Sequence, residues 1–578
     1  MWKLARYLKQ YKLQVILGPL FKLTEAVFEL IVPLITAMII DNGVKKGDVP
    51  YIWRMGGLML LLGIVGLLCA IVCQKMASIA SQGVGTVLRN ELFHHINSLS
   101  HAEVDRFGTP SLITRITSDV NQLQYAVAML IRLVIRAPFL AIGAVVMALF
   151  IDLKLGLIFV VVTPLIALVL YLVMSRSVPY FRVMQKKLDR ISLVSREGLS
   201  GARVVRAFSR QKHEEERFTQ ATEDQTRTAI QVGKLSALLN PLTYAIMNFG
   251  IVAIIWFGGI QVDTGTLEQG QIIAFVNYMT QTLLALIVVA NLVVTFTKAS
   301  ASAARVNEVL ETEPSVREPE GKTAEAKEGE PRIEFRNVSF SYTGREPYVL
   351  EDLNFSIAPG ETVGIIGGTG SGKSTLIQLI PRFYDTIQGE ILVDGVNVKE
   401  YGFRTLRGKI GMVPQEAVLF SGTIETNLRW GCREATEEQM VQALRTAQAW
   451  DFVKALPKGI QSPVSQNGRN FSGGQRQRLT IARALTGSPN ILILDDSASA
   501  LDFATDAALR RAIRRETKDM TVLIVSQRVS SIRSADRIFV LDEGRLCGIG
   551  THEELLENCG EYREICLSQA SGKEGENP

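Results

Sequence analysis

The stretch Gly367-Gly368-Thr369-Gly370-Ser371-Gly372-Lys373-Ser374 decides the fold of the second half of this 578-residue chain. It follows an apolar run at residues 362–366, and the helix-forming stretch that follows it starts at Thr375. Strand, glycine-rich loop and helix in this order fit the pattern G-x-x-x-x-G-K-[ST], in which backbone N–H groups curl around phosphate oxygens. Lys373 then reaches the β- and γ-phosphates, and the Ser374 hydroxyl binds Mg²⁺. The stretch predicts that the chain binds a nucleoside triphosphate.

The composition places the chain among membrane proteins with more than one domain. It is 47% hydrophobic and only 21% charged, which is more apolar than a soluble enzyme of this length should be. The net charge of +5 is small for this length and gives no argument for a nucleic-acid partner. The six cysteines form no C-x-x-C pair, which favours a reduced, cytosolic setting for the nucleotide-binding half.

The first half of the chain carries six long apolar stretches, at residues 15–40, 55–73, 137–150, 155–174, 242–260 and 272–295. A membrane-spanning helix needs about 20 mostly apolar residues, so these stretches predict six spans in a lipid bilayer. Long segments rich in Arg and Lys separate the pairs of spans, and positive charge favours the cytoplasmic side. We therefore expect a multi-pass protein of the cell membrane with both termini in the cytosol. Residues 1–12 predict a short amphipathic helix on the inner membrane surface.

Polar side chains inside the predicted spans allow two interpretations. Glu25 and Glu29 lie one helical turn apart, and they either line a substrate path or pair with partners inside the bundle. For the Asn and Gln residues of the last two spans, hydrogen bonding between helices is favoured over a place in a substrate path.

The chain changes character after the last span. Residues 311–331 are rich in Glu, Lys, Gly and Pro and predict a flexible linker. From residue 332 onwards, short strands alternate with turns and helices. The predicted fold is an all-α transmembrane domain of six helices at residues 1–310, followed by an α/β nucleotide-binding domain at residues 332–578.

Further polar or glycine-rich elements surround the loop at residues 367–374 in sequence. Tyr342 ends an early strand and is suited to stack on an adenine ring. Gln415 places an amide that is suited to coordinate Mg²⁺ or the attacking water. The stretch Phe471-Ser472-Gly473-Gly474-Gln475 opens a helix and predicts a second anion site at a helix N-terminus.

A buried strand at residues 491–494 then ends in two carboxylates, Asp495 and Asp496. Asp502 follows in the stretch Ser499-Ala500-Leu501-Asp502, and Gln527 follows another buried strand. We expect these side chains to belong to the nucleotide site.

The order and identity of these elements resemble the ATP-binding cassette, and F-S-G-G-Q is similar to the signature of that family. With six preceding spans, the whole chain resembles a half-transporter of the ABC exporter superfamily, of the multidrug-resistance type. The resemblance implies ATP and Mg²⁺ as cofactors, with Asp495 directing the ion. It also implies a dimer, in which each ATP lies between one chain's glycine loop and the other chain's signature and Asp502. Helices near residues 109–119 and 201–208 would then couple the membrane domain to the nucleotide-binding domains.

Two positions depart from the pattern of the family. Asp496 stands where the family has a glutamate as general base, and it is one methylene shorter. Gln527 stands where the family has a histidine beside the γ-phosphate, and an amide carries no positive charge and relays no proton. We therefore expect this chain's own site to bind ATP and hydrolyse it slowly, and we expect a second half-transporter as its partner in a heterodimer that exports small hydrophobic or amphipathic compounds. The alternatives are a lipid or peptide exporter, possibly homodimeric, and a regulatory protein with little turnover.

Overall fold

The computed structural model describes residues 2–319, 329–516 and 519–574. Contacts between residues divide the chain into two compact units. The first unit holds residues 1–97 and 109–312, and the second holds residues 98–108 and 313–578. The predicted linker at residues 311–331 lies partly outside the described residues, and its first residue, Glu311, is the last residue of a helix.

Helices make up the first unit because its sequence is apolar over long stretches with few breaks. A 3₁₀ helix at Trp2–Tyr11 occupies the place of the predicted amphipathic helix. The helices up to residue 311 are α1 (Lys12–Met38), α2 (Val49–Ser98), α3 (His101–Phe107), α4 (Thr109–Thr114), α5 (Val120–Arg132), α6 (Arg136–Ile151), α7 (Leu153–Ser200), α8 (Ala202–Ala207), α9 (Gln211–Ala237), α10 (Leu239–Asp263) and α11 (Gln269–Glu311). Of these, α3 belongs to the second unit.

Six helices among the described residues are long and apolar enough to cross a membrane, which confirms the predicted number of spans. Counted through short breaks, they run for 39 to 53 residues. At 1.5 Å per residue these lengths correspond to about 60 to 80 Å, against a hydrocarbon core of about 30 Å. The helices therefore extend well beyond the apolar windows, as the charged segments between the spans predict.

Small side chains and a few hydrogen bonds hold the helices of the first unit together. Ala144 and Ala148 of α6 are fully buried, which lets neighbouring helix backbones approach closely. The hydroxyl of the fully buried Tyr278 donates to the carbonyl of Leu30 at 2.6 Å. These contacts join α6 and α11 to α1 in one hydrophobic core.

The two glutamates of the first span are paired with cations. Glu25 accepts from Lys22 at 2.6 Å, and Glu29 accepts from Arg136 at 2.6 Å. The amide of Gln281 donates to the backbone carbonyl of Glu29 at 3.2 Å. The contacts of Glu29 and Gln281 favour the interpretation that polar side chains in the spans bond to neighbouring helices, whereas Glu25 pairs within its own helix α1.

The charged segments of the first half predict turning points near residues 109–119 and 201–208, and the first of these lies earlier in the chain. Residues 109–119 form α4 and a π-helical turn that continues into α5, so that prediction is wrong. The chain instead reverses around α3, where Ser100 and Glu103 form a capping box and Gly108, with φ of 73°, ends the helix. The turning point predicted at residues 201–208 is confirmed, because α7 and α9, which flank α8, pack against each other.

Aromatic contacts hold α3 against the rest of the second unit. The ring of His101 stacks on Phe383 with centroids 4.2 Å apart, and Asp105 accepts a hydrogen bond from the Tyr384 hydroxyl at 2.8 Å. Burial and the Asp105 carboxylate raise the pKa of Tyr384. Burial, together with the charge of Arg407, lowers the pKa of His101, so this ring is neutral near pH 7.

The rest of the second unit alternates strands and helices. Its elements are β1 (Ile333–Phe340), β2 (Leu350–Ile357), β3 (Thr362–Gly367), α12 (Lys373–Leu379), β4 (Gln388–Val393), β5 (Val396–Asn397), α13 (Phe403–Gly408), β6 (Ile410–Val413), β7 (Gly422–Thr423), α14 (Ile424–Leu428), α15 (Glu437–Thr446), α16 (Trp450–Lys454), β8 (Pro463–Val464), α17 (Gly473–Leu485), β9 (Ile491–Asp495), α18 (Phe503–Glu516), β10 (Thr521–Val525), α19 (Val529–Ile532), β11 (Arg537–Asp542), β12 (Arg545–Gly550), α20 (His552–Asn558) and α21 (Gly560–Glu574).

A six-stranded sheet forms the centre of this unit, in the order β12-β11-β3-β10-β9-β6. The strands from β11 to β6 are parallel, and β12 is an antiparallel edge. A four-stranded antiparallel sheet, β2-β1-β4-β5, packs with it over a shared hydrophobic core. The buried runs of β9 and β10, apolar on both faces, are typical of central parallel strands.

We predict that the bond between Asp105 and Tyr384 holds α3 on the second unit. Asp105→Ala and Tyr384→Phe should each increase hydrogen exchange of residues 101–107 by about twofold to tenfold, the range expected for one lost hydrogen bond. The double variant should exchange no faster than Asp105→Ala alone, because both changes remove the same bond. Additive effects, or unchanged exchange in both single variants, would contradict the prediction.

Candidate functional site

Four neighbouring parallel strands bring the predicted phosphate-binding and hydrolytic residues to one edge of the sheet. The glycine loop follows β3, Ser526 and Gln527 follow β10, Asp495 and Asp496 end β9, and Gln415 follows β6. Pairing of Val525 with both Ile365 and Asp495 sets the register of these strand ends. In parallel sheets ligands bind outside the carboxyl ends of the strands, so this edge is the candidate site.

A cavity of about 390 Å³ lies at this edge. Predicted residues that line it are Thr369, Gly370, Gly372, Lys373, Ser374, Thr375, Gln415, Asp495, Asp496 and Gln527. Val349, Val525 and Ser526 line it as well and were not predicted. Val525 and Ser526 directly precede Gln527 in the sequence, and this position could have indicated that they line the cavity too.

Close packing around the loop requires glycine at its ends. A Cβ on Gly367 would lie 2.0 Å from the carbonyl oxygen of Leu541. Gly372 has φ of 93°, and a Cβ there would meet the Leu350 side chain at 2.6 Å. The loop thus keeps its backbone N–H groups in a fixed arrangement before α12 begins at Lys373.

The Lys373 side chain is buried among the backbone of its own loop. Its Nζ donates to the carbonyls of Gly367 at 3.0 Å and Gly368 at 2.6 Å. Burial lowers the pKa of Lys373, while the nearby carboxylates of Asp496 and Asp495 oppose this shift. The ammonium is therefore a concentrated positive charge in a partly desolvated cavity, suited to phosphate oxygens.

Ser374 and Asp495 form an oxygen pair at the centre of the cavity. The Ser374 hydroxyl donates to Oδ1 of Asp495 at 3.1 Å. Asp495 is buried, and its desolvation raises the pKa of this carboxyl, while the Ser374 hydrogen bond opposes the shift. A bound cation would relieve this desolvation by restoring charge compensation.

Asp496 is half-buried and contacts other parts of the cavity. Burial raises its pKa, and the Arg528 guanidinium and a hydrogen bond from the Gln415 side chain oppose the shift. Its backbone adopts φ of 44°, in the left-handed region. Asp496 and Gln415 thus lie together in the cavity that also holds the Ser374–Asp495 pair, and their role in activating a water stays a prediction.

The turn that carries Gln527 is held by several hydrogen bonds. Ser526 N donates to Ile365 O at 3.1 Å, and Arg528 N donates to the Ser526 hydroxyl at 3.0 Å. On the other side, the Gln569 side chain of α21 contacts the turn, with its Nε2 donating to Gln527 O at 2.7 Å. Neither Arg528 nor Gln569 was predicted, because their contacts depend on tertiary packing.

Tyr342 lies close to the helix that follows the glycine loop. Its hydroxyl lies 3.0 Å from Oγ1 of Thr375, and its ring meets Tyr384 edge-on at 5.3 Å. About half of the side chain, 53%, is exposed, so the ring remains accessible to a stacking base. Its role in adenine binding stays a prediction.

The stretch at residues 471–475 lies at the start of α17, apart from the residues that line the cavity. Ser472 and Gln475 form a capping box, in which Ser472 N donates to Gln475 Oε1 at 2.9 Å. Phe471 is buried in the core beneath them, while Ser472 is exposed. The start of α17 is therefore exposed, and its role as an anion site stays a prediction.

Asp502 lies at the start of α18 and is fixed by local bonds. Its carboxylate accepts from Thr505 N at 2.9 Å and from Thr505 Oγ1 at 2.8 Å. These bonds lower the pKa of Asp502 below the ordinary range. The carboxylate is exposed and charged near pH 7.

Comparison with known proteins identifies both halves of the chain. Residues 15–286 match the ABC transporter transmembrane region, and residues 350–499 match the ABC transporter family of ATP-binding domains. An uncharacterized ABC transporter ATP-binding protein of Mycobacterium tuberculosis is 40% identical over 572 residues, which cover 98% of both chains. A protein of Hahella chejuensis described as an ATP-dependent lipid A-core flippase is 33% identical over 497 residues, covering 86% of this chain and 84% of its own.

A solved structure gives the same result for the fold. A bacterial Atm1-family ABC exporter with ATP bound superposes with a TM-score of 0.77 at 25% identity, and the match covers 98% of both chains. The predicted fold class, six helical spans followed by an α/β nucleotide-binding domain, is thereby confirmed. The chain belongs to the ABC transporter family, as a multi-pass exporter whose ATP-binding domain hydrolyses ATP to drive transport.

Proposed function

We propose that this chain is one half of a heterodimeric exporter of hydrophobic or amphipathic compounds in the cytoplasmic membrane. Its own nucleotide cavity binds ATP and hydrolyses it slowly. One observation carries this proposal: the cavity that contains Lys373 also contains Asp496 and Gln527 at the positions that serve hydrolysis. The phosphate-binding part is intact, while the proton-transfer part is weakened.

The chemistry of these two side chains supports slow hydrolysis. A general base must come within about 3 Å of the water whose proton it accepts, and aspartate reaches one methylene less far than glutamate. The Gln415 amide also occupies part of the hydrogen-bonding capacity of the Asp496 carboxylate. Gln527 donates a hydrogen bond to phosphate at most, and it supplies no cationic imidazole near pH 7.

The cavity suits Mg²⁺ as the partner of ATP. The Ser374 hydroxyl and the Asp495 carboxylate supply adjacent hard oxygen ligands, and Gln415 adds an amide oxygen. In the described part of the chain, no cluster of three or more His, Cys, Asp or Glu side chains suits a metal ion. Magnesium typically binds through one or two protein oxygens together with substrate phosphates, which agrees with this donor set.

The exposed start of α17 supports a role in a partner's site. Its signature residues, Phe471 to Gln475, and the carboxylate of Asp502 retain the types that the family uses. They lie apart from this chain's own cavity, so they are available to an ATP held by a second chain. A partner with its own glutamate and histidine would then hydrolyse ATP at the composite site.

An open apolar groove in the first unit supports a hydrophobic or amphipathic substrate. It measures about 1000 Å³, and charged side chains are absent from the lining among the described residues. Leu130, Val134 and Pro138 line one side, and Val293 and Phe296 of α11 line the other. Glu25 and Glu29 do not belong to this lining, so the proposed selection is by apolar contact and not by their charge.

Restoring the two lost groups should accelerate hydrolysis. We expect Asp496→Glu with Gln527→His to raise the ATPase rate of the purified, lipid-reconstituted protein by roughly tenfold or more, since a general base typically contributes about 10²–10⁴-fold. Asp451→Glu, at an exposed position in α16, is the matched control for the change of side-chain length. An unchanged rate in a variant that binds ATP normally would show that the site is not degenerate.

If the exporter is a heterodimer, the chain should assemble with a second, different half-transporter. The tagged chain should co-purify from its native membrane in a 1:1 complex with a half-transporter that carries the glutamate and the histidine. ATPase activity of that complex should fall by about 10²-fold or more when the partner's glutamate is changed to glutamine. Purification of this chain as a homodimer with rapid, compound-stimulated ATPase would contradict the proposal.

A lipid exporter is the second candidate, because several relatives at 33–35% identity are described as lipid A-core flippases. Reconstituted vesicles distinguish the candidates. We expect ATP-dependent accumulation of hydrophobic dyes that Phe296→Asp slows, because a charge in an apolar groove is costly. ATP-dependent flipping of a labelled lipid without dye transport would instead favour the lipid exporter.

A further inference from the structure

One face of the C-terminal helix α21 connects the core of the second unit to the turn that carries Gln527. Tyr562, Cys566 and Gln569 follow one another at intervals of four and three residues, so they share a face of the helix. Tyr562 is fully buried, and its hydroxyl lies 2.7 Å from Nδ1 of His552. The buried ring fixes the start of α21, and the same face carries Gln569 to the turn two helical turns later.

The Gln569 side chain bridges the turn with two hydrogen bonds. Its Nε2 donates to the carbonyl of Gln527 at 2.7 Å, and its Oε1 accepts from the N–H of Val529 at 2.9 Å. Both partners are backbone groups with fixed roles, one acceptor and one donor, so only this orientation of the amide satisfies both. The bridge spans the residue between them, Arg528, whose guanidinium lies near Asp496.

Gln569 therefore completes the restraint on this turn. The sheet holds one side, because Ser526 N donates to Ile365 O at 3.1 Å. The amide of Gln569 holds the side that faces away from the strand. Without it, the carbonyl of Gln527 and the first N–H of α19 would lose a partner, and the turn would have more conformational freedom.

We propose that Gln569 is a positioning residue that fixes the turn at residues 526–529, so that Gln527 is aligned with the terminal phosphate of ATP. This inference rests on the proposed role of Gln527 in the nucleotide cavity. The C-terminal helix thereby becomes part of the machinery that distinguishes ATP from ADP. Since ADP lacks the terminal phosphate, the contribution of Gln569 should be specific to ATP.

The test compares the affinities of the purified full-length protein for AMP-PNP and for ADP in the presence of Mg²⁺. The variant Lys373→Ala, which removes the cation of the glycine loop, measures how much nucleotide binds outside this cavity. Gln569→Leu keeps a similar volume and removes both hydrogen bonds. We expect it to weaken AMP-PNP binding by about threefold to tenfold, as for the loss of one net hydrogen bond, and to change ADP binding less than about twofold. Ser568→Ala, at the neighbouring exposed position, should leave both affinities unchanged.

A double-mutant cycle separates this inference from the role of Gln527. Gln527→Ala should weaken the binding of AMP-PNP and leave the binding of ADP unchanged. Adding Gln569→Leu should weaken AMP-PNP binding no further, because Gln569 acts only through the Gln527 side chain. If Gln527→Ala is selective and Gln569→Leu is not, or if their effects add, the positioning role is wrong and the role of Gln527 stands. If Gln527→Ala leaves AMP-PNP binding unchanged, the proposed role of Gln527 fails, and the inference fails with it.

Discussion

The parallel register of β3, β10, β9 and β6 is the constraint on which the nucleotide site depends. Each strand ends at the same edge of the sheet and delivers one part of the site: the glycine loop, the Gln527 turn, the carboxylate pair and Gln415. These parts are separated by up to about 160 positions in sequence, yet the sheet brings them around a single cavity. Because β9 and β10 are buried on both faces, a shift in register would disturb side-chain packing in both layers of the core and move the ends of these strands out of alignment. The site is thus as well defined as the fold.

Much of this arrangement was predictable because it depends on local patterns. The glycine loop, the apolar runs that end in Asp495 or Gln527, and the six apolar spans each follow from short stretches of sequence. The position of α3 was missed, although Ser100, Glu103 and Gly108 carry the signals for a helix start and stop. The ion pair of Glu29 with Arg136 was not predictable, since helix packing brings together residues 107 positions apart. The contact of Gln569 with the turn at Gln527 has the same origin.

In the second unit, aromatic side chains connect α3 to the helix that follows the glycine loop. The Tyr384 hydroxyl donates a hydrogen bond to Asp105 of α3, and the Tyr384 ring also contacts Tyr342 edge-on. The Tyr342 hydroxyl lies 3.0 Å from Thr375, which follows the glycine loop. Rigid rings lose little rotamer freedom, so such a chain of contacts keeps its geometry at low entropic cost. The helix α3, which follows α2 and precedes α4, is thereby connected through Tyr384 and Tyr342 to Thr375, which lines the nucleotide cavity.

The left-handed backbone at Asp496 has a consequence for the stability of the domain. Aspartate tolerates positive φ better than longer side chains, because its short carboxylate bonds locally. Asp496→Glu would place a longer side chain on this backbone, so any gain in catalytic reach would be accompanied by a loss of stability. Such exchanges between stability and activity are common wherever a strained residue serves chemistry.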